Sequence, residues 1–269
     1  SQGFWSSMGN SFLVSACAAL ITTSLAFFLA YAMNHARMPK FFQVLVKNIT
    51  VAPMFLPSIT YGFIIIYSLG KEGLITHLFG GQLFSIYGFS GLLLGYIIYT
   101  LPITFMLIHN AFQYVDKNYI IVSKVMGDSG IRTFFMTAVR PLVGTLGAAF
   151  IQSFTLSFTD FGIPTSIGGQ YDVVATRLYN EMLGSIPNFP GGAATALMML
   201  IPAIFSIIMM NVLQKYNFRY NKVSKVVLEK SPVRDTICMV GSGLISLVTV
   251  ALFLVMFLKQ KSHISRFLF

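Results

Sequence analysis

At 269 residues, 55% hydrophobic and only 10% charged, with a mean hydropathy of +0.75, the chain has too little polar surface to cover a globule in water. Soluble domains carry about 25% charged residues. A formal net charge of +10 would suit nucleic acid, but the cations sit in short segments between apolar runs; a nucleic-acid partner is excluded, and the solvent is membrane lipid.

A helix needs about 20 apolar residues to cross a bilayer core. Runs at 11–33, 50–69, 89–109, 142–159, 192–213 and 236–258 meet or approach that length. Backbone groups in lipid must be satisfied within the segment, and the alternating pattern of a lipid-facing barrel strand is absent. The expected fold is all-α, a polytopic transmembrane bundle of about six spans.

The first run ends in Arg37, Lys40 and Lys47, the third in Lys117, Lys124, Arg132 and Arg140, and the fifth in Lys215, Arg219, Lys222, Lys225, Lys230 and Arg234. The other two connections hold only Lys71 and Arg177. Basic loops stay cytoplasmic, so the odd-numbered runs end in the cytoplasm. The N-terminus is then external, which implies a further span upstream. Lys259, Lys261 and Arg266 fall on the wrong side, as expected of a chain that continues.

In the second run, Pro53 and Pro57 lie on one face; Pro102 is inside the third and Pro202 inside the fifth. Each removes a backbone hydrogen bond and is expected to kink its helix. Gly91 and Gly95 form a G-x-x-x-G pair suited to close helix contact, and Gly144 and Gly147 offer the same. After the fourth run comes a long external connection. Its middle, 173–183, reads as a short surface helix between Gly168-Gly169 and Pro190-Gly191-Gly192.

The segment 116–141 is too long and too patterned for a simple connection. Ile131, Phe134, Phe135 and Ala138 follow the helical spacing and make one apolar face. Residues around Ile120 to Val125 form an earlier helical turn, Gly127 lies between, and Asp128 and Ser129 are candidate N-caps. A helix, break, helix unit parallel to the membrane is expected. It would either dock in a partner's groove or rest on lipid.

Asp160 is the one acid at the edge of a run, and ionisable groups at such depth face a cavity or a partner. Ser58, Thr60 and Tyr61, beside Pro57, join it as candidates for a polar pathway; helix capping and helix-to-helix hydrogen bonding are the competing uses. His35, His77 and His109 lack metal-ligand spacing, and Cys17 and Cys238 stand alone. There is no phosphate-binding G-x-x-x-x-G-K-[ST] and no nucleophile–base or paired-carboxylate arrangement. No catalytic residue, cofactor or metal site is therefore expected, and the chain is not expected to be an enzyme.

The run G-D-S-G-I-R-T-F-F-M-T-A-V from Gly127 resembles the EAA loop of binding-protein-dependent, type I ABC importer permeases. That motif reads E-A-A, three residues, Gly, nine residues, I-x-L-P. Ile121-Val122-Ser123 stands at E-A-A, so the acidic start is absent; Thr137 and Val139 take the I and L places, and Pro141 comes one residue late, behind Arg140. The stretches N-S-F-L-V-S-A from Asn10 and P-M-F-L-P-S-I-T-Y-G from Pro53 resemble other parts of the same family. The segment 157–179, S-F-T-D-F-G-I-P-T-S-I-G-G-Q-Y-D-V-V-A-T-R-L-Y, is similar to permeases for 2-aminoethylphosphonate, with iron(III) permeases as relatives.

The resemblance implies a bacterial plasma (inner) membrane permease working by alternating access. Its partners would be cytoplasmic ATP-binding cassette subunits carrying ATP and Mg, an extracytoplasmic solute-binding protein, and a second permease repeat or subunit. It implies coupling to the ATPase through Ser123, Gly127, Asp128, Arg132, Phe134 and Phe135, and a substrate pathway near Ser58, Thr60, Tyr61 and Asp160. It also divides the chain into a transmembrane domain over 1–213, a basic cytoplasmic linker over 214–234, and, over 235–269, the opening helix of a second repeat. Iron(III) and polyamines are the alternative substrates. A channel or secondary transporter, or a membrane fragment without transport activity, are the alternatives of another class.

Overall fold

A computed structural model describes residues 2–82, 84–116, 118–215 and 231–267. Among these residues the chain is helical throughout, with no strand. The long helix α1 (Gln2–His35) is the central post. Val14, Ala18, Thr22, Ala26 and Ala30 recur every four residues along it, each with 0% exposure. This ridge of mostly small side chains lets α5 (Phe89–Phe112) lie close along α1. The third side is closed by α8 (Val143–Thr159). Where the three meet, the Ser153 hydroxyl donates to Thr100 Oγ1 at 2.9 Å, and Thr100 Oγ1 lies 3.1 Å from Thr22 Oγ1. All three hydroxyls are buried, so the helices satisfy one another's polar groups inside an apolar bundle.

The apolar run expected at 50–69 is not one kinked span. It is α2 (Lys40–Val51) with a 3₁₀ turn at Ala52–Phe55, followed by α3 (Ser58–Leu69), and the two limbs meet at 113°. Leu56 is extended, with ψ 142°, because the residue before a proline is barred from the helical region; Pro57 then opens α3. Two prolines four apart break the helix where one would bend it. A short α4 (Leu74–Leu78) follows.

The predicted glycine pair divides its labour. A Cβ on Gly95 would come within 2.8 Å of Ile163 Cγ2, so Gly95 does serve helix contact. Gly91 instead faces the backbone carbonyl of Ile86 in the turn that leads into α5. Pro102 and Pro202 lie inside α5 and α11 (Phe189–Gln214), as expected. Gly147 of α8 is covered by the Leu213 side chain of α11.

On one side of the bundle lie α6 (Asn118–Val125) and α7 (Gly130–Phe134). On the other side lie α9 (Gly162–Ile167) and α10 (Val174–Leu183), the latter matching the short helix expected at 173–183. The last helix, α12 (Pro232–Phe267), packs against α3, α1 and α2. Most of the expected basic linker, residues 216–230, lies outside the described residues.

Candidate functional site

The segment 118–134 is built around one turn. Gly127 has φ +74°, a conformation costly for any residue with a Cβ. It reverses the chain so that α6 and α7 face each other across Asp128. The Ser123 hydroxyl donates to Asp128 Oδ2 at 2.8 Å and lies 2.9 Å from Thr133 Oγ1. Asp128 Oδ1 pairs with Arg132 Nε at 3.1 Å, and the Asp128 N–H donates to the Ser123 carbonyl at 3.1 Å. Ser129, not Asp128, caps α7, its hydroxyl accepting from the Arg132 N–H. Ser123, Gly127, Asp128 and Arg132 are thus brought together, as an internal clamp.

The two phenylalanines part company. Phe134 packs edge-on against Tyr31 at 5.2 Å and Phe27 at 6.0 Å, both on α1. Tyr31 stacks on His35 at 4.8 Å, and His35 meets Phe112 of α5 at 5.2 Å. An aromatic column therefore ties the loop to α1 and α5. Its members on α1, residues 27, 31 and 35, recur every four positions, a spacing visible in the sequence that the motif reading passed over. Phe135 is exposed, as is Ile131, whereas Ala138 is fully buried. The single apolar face expected over residues 131–138 is thus split, Ala138 packed in the bundle and Ile131 and Phe135 exposed.

Nor is α7 a separate helix parallel to the membrane. It continues through a π turn at Phe135–Val139 and a 3₁₀ turn at Arg140–Leu142 directly into α8. Pro141 gives the reason. In a regular helix its ring would strike the carbonyl four residues back, and the wider π turn opens that space without ending the helix.

At the opposite end, α8 stops at Asp160. The carboxylate accepts from the Ile163 N–H at 2.9 Å, and the Ser58 side chain of α3 lies beside it. It closes the first turn of α9 and pins it to the start of α3. The approach requires Gly162, because a Cβ there would lie 2.5 Å from the Ile59 backbone nitrogen. Tyr61 is buried, donates its hydroxyl to the Pro53 carbonyl, and meets Tyr99 edge-on at 5.4 Å. Thr60 is half-buried in the first turn of α3. Of the four expected pathway residues, only Ser58 and Asp160 are joined. Beside them a polar hollow of about 370 Å³ is lined by Phe161, Thr165, Tyr171, Asp172, Thr176 and Tyr179, among others.

The family of binding-protein-dependent transport system inner membrane components matches residues 5–219. The chain belongs to this family. Like its other members it is a multi-pass inner-membrane protein, here with five helices long and apolar enough to span, or up to six if the bent α2–α3 pair counts as one. It is 27% identical over 199 residues to the ferric transport system permease protein FbpB of Actinobacillus pleuropneumoniae, covering 72% of this chain and 29% of that protein. With the PotC homolog of the spermidine/putrescine system of Mycoplasma pneumoniae it shares 22% over 217 residues, 81% of this chain and 72% of that one. A bacterial alginate ABC transporter, solved in complex with its alginate pentasaccharide-bound periplasmic protein, has the same fold, with TM-score 0.63, 12% identity, and coverage of 81% and 80% of the two chains. The chain spans about a third of the length of the ferric relatives it matches.

The clamp at residues 123–133 lies within the matched stretch. The acidic position is filled by Ile121, which is about half exposed.

Proposed function

We propose that this chain forms transmembrane helices of an ATP-driven importer permease, passing a small solute from an extracytoplasmic binding protein to the cytoplasm. ATP and Mg would be held and hydrolysed on separate ATP-binding cassette subunits, and a second permease repeat or subunit would complete the pathway. The observation that carries this reading is the cytoplasmic clamp and its wedge. Ser123, Asp128 and Arg132 make the loop one piece, Gly127 sets its turn, and Phe134 packs it against Tyr31 of α1. Closure of the ATPase subunits would push that piece, and the aromatic column would pass the displacement to α1 and α5. ATP and the loaded binding protein shift such an equilibrium only through their different affinities for its two states. Ser58 and Asp160 would brace the external mouth, leaving Thr60 to face the solute.

For the substrate, the ferric relatives support iron(III), while the 157–179 segment supports 2-aminoethylphosphonate. Calorimetric titration of the cognate binding protein with ferric ion and with 2-aminoethylphosphonate separates the two. Coupling is tested in proteoliposomes holding the full transporter and the binding protein. Phe134→Ala should leave ATP hydrolysis running while solute uptake is lost. Uptake that continues without any ATPase subunit would instead make the chain a channel or a gradient-driven carrier.

A further inference from the structure

The hollow beside the Ser58–Asp160 corner is a built cavity. Its volume is about 370 Å³, and Tyr87, Phe161, Tyr171 and Tyr179 line it together with Asp172. Two glycines at positive φ shape it, Gly88 at +90° and Gly169 at +59°. They let two chain reversals close on each other, with the Gly88 N–H donating to the Ile167 carbonyl at 3.0 Å. A Cβ on Gly169 would lie 3.3 Å from the Tyr87 Cβ, and one on Gly88 would lie 3.8 Å from the Tyr171 Cβ. The stretch after Tyr171 is fixed to α1: Asn10 Nδ2 donates to the Asp172 carbonyl at 3.0 Å, and Ser11 Oγ accepts from the Val174 N–H at 2.8 Å. The walls are held from three sides, so little ordering is left for a ligand to impose.

The polar groups of the hollow are chiefly acceptors. Thr165 Oγ1 donates back to the Phe161 carbonyl at 2.7 Å, Ser166 Oγ to the Ile163 carbonyl at 2.9 Å, and Thr176 Oγ1 to the Val173 carbonyl at 2.9 Å. The Tyr171 hydroxyl donates to the Asn10 carbonyl at 3.4 Å. With those protons committed, these oxygens have only lone pairs left to offer. Among the described residues, no hydrogen bond or ion pair engages the exposed Asp172 carboxylate, and the lining contains no Lys or Arg. The cation nearest in sequence, Arg177, is held by Glu181 Oε1 at 2.9 Å. The Phe161 and Tyr179 rings, 4.9 Å apart, add two aromatic faces. Aromatic faces, oxygen acceptors and a carboxylate without a countercharge select a cation. A hard metal ion wants several charged oxygens, and the described residues hold no cluster of three metal-binding side chains.

We propose that this hollow binds a primary alkylammonium group, the part that polyamines and aminophosphonates share. The inference rests on the importer reading above, under which this end of the bundle is external, and it adds the class of solute. The ammonium donates to Asp172 and lies against the Phe161 and Tyr179 rings. The rest of the solute projects outward, because the described lining offers no cation to receive a phosphonate.

The test uses the complete transporter in lipid nanodiscs, without its binding protein. Radiolabelled putrescine should bind saturably and be displaced by propylamine but not by ethylphosphonate. Asp172→Asn and Tyr179→Leu should each weaken binding more than about tenfold, while Asp172→Glu and Tyr179→Phe, which keep the charge and the ring, hold it within about threefold. Displacement by 2-aminoethylphosphonate as effective as by unlabelled putrescine would assign the site to aminophosphonates; displacement by diamines alone would assign it to polyamines. No saturable binding up to about 10 mM putrescine, displacement by ethylphosphonate, or unchanged affinity in Asp172→Asn would overturn the site. Uptake in proteoliposomes with the binding protein present is read separately. ATP-driven uptake of ferric ion without ammonium binding would overturn the site and leave the importer standing. Ammonium binding without any ATP-driven uptake would keep the site and overturn the importer.

Discussion

Each end of α8 is organised by one carboxylate, and the two do opposite things. Asp128 takes its side-chain partners from the same short segment, Ser123 and Arg132, and the Arg132 side chain is 70% exposed. Asp160 is 8% exposed, takes its hydrogen-bond partner from the turn of α9 and lies against Ser58 of distant α3. The first carboxylate makes a piece that holds its own shape and touches the bundle through one aromatic wedge. The second welds three helices. Under the proposed coupling role, the first would serve as a lever that stays whole when pushed, and the second as a fixed corner against which the helices turn.

The largest effect that would break this comparison is at the weld. Asp160→Ala leaves the fully buried Ile163 N–H without its acceptor and removes the charged cap of α9, and should cost about 3 kcal/mol. The thermal midpoint of detergent-solubilised protein, followed by size-exclusion fluorescence, should fall clearly, with Asp160→Asn in between. An unchanged midpoint would reduce Asp160 to a solvated cap. Next comes Gly162→Ala, whose Cβ would press on the Ile59 backbone rather than on a yielding side chain; about 2 kcal/mol is expected in the same assay.

Effects at the lever should be smaller. No atom lies within 4 Å of a Cβ built on Gly127, so Gly127→Ala carries only the cost of positive φ, about 1 kcal/mol. Faster hydrogen exchange confined to residues 118–134, with the bundle unchanged, would report it; a general loss of protection would deny the segment its independence. Arg132→Gln, which removes one exposed ion pair, should cost about 0.5 kcal/mol or less. A double-mutant cycle with Asp128→Asn measures that pairing, and a larger coupling would mean the clamp is stiffer than its exposure implies.

Much of this was legible before any coordinates. Hydropathy placed the spans, because a run of that length and composition has one stable form in lipid. The short helix at Val174–Leu183 and the turn at Gly127 were equally readable, since glycine and local pattern act within a few residues. The N-cap of α7 was narrowed to two residues, and the structure chose Ser129.

Other features depended on what came near. That Pro53 and Pro57 break a span while Pro141 is absorbed by a π turn depends on which neighbours take up the freed backbone groups. That Phe134 faces α1 while Phe135 is exposed follows from how α7 is rotated as it joins α8, and one residue of rotation is about 100° on a helix. The Thr22–Thr100–Ser153 node and the Ser58–Asp160 weld join residues from different helices, which no local spacing announces. Composition and periodicity determined which segments are long apolar helices, because that depends on each segment's own transfer from water to lipid. Only the tertiary structure decided which polar groups meet, because a buried hydroxyl or carboxylate is settled by whichever partner the packing of other helices brings within reach.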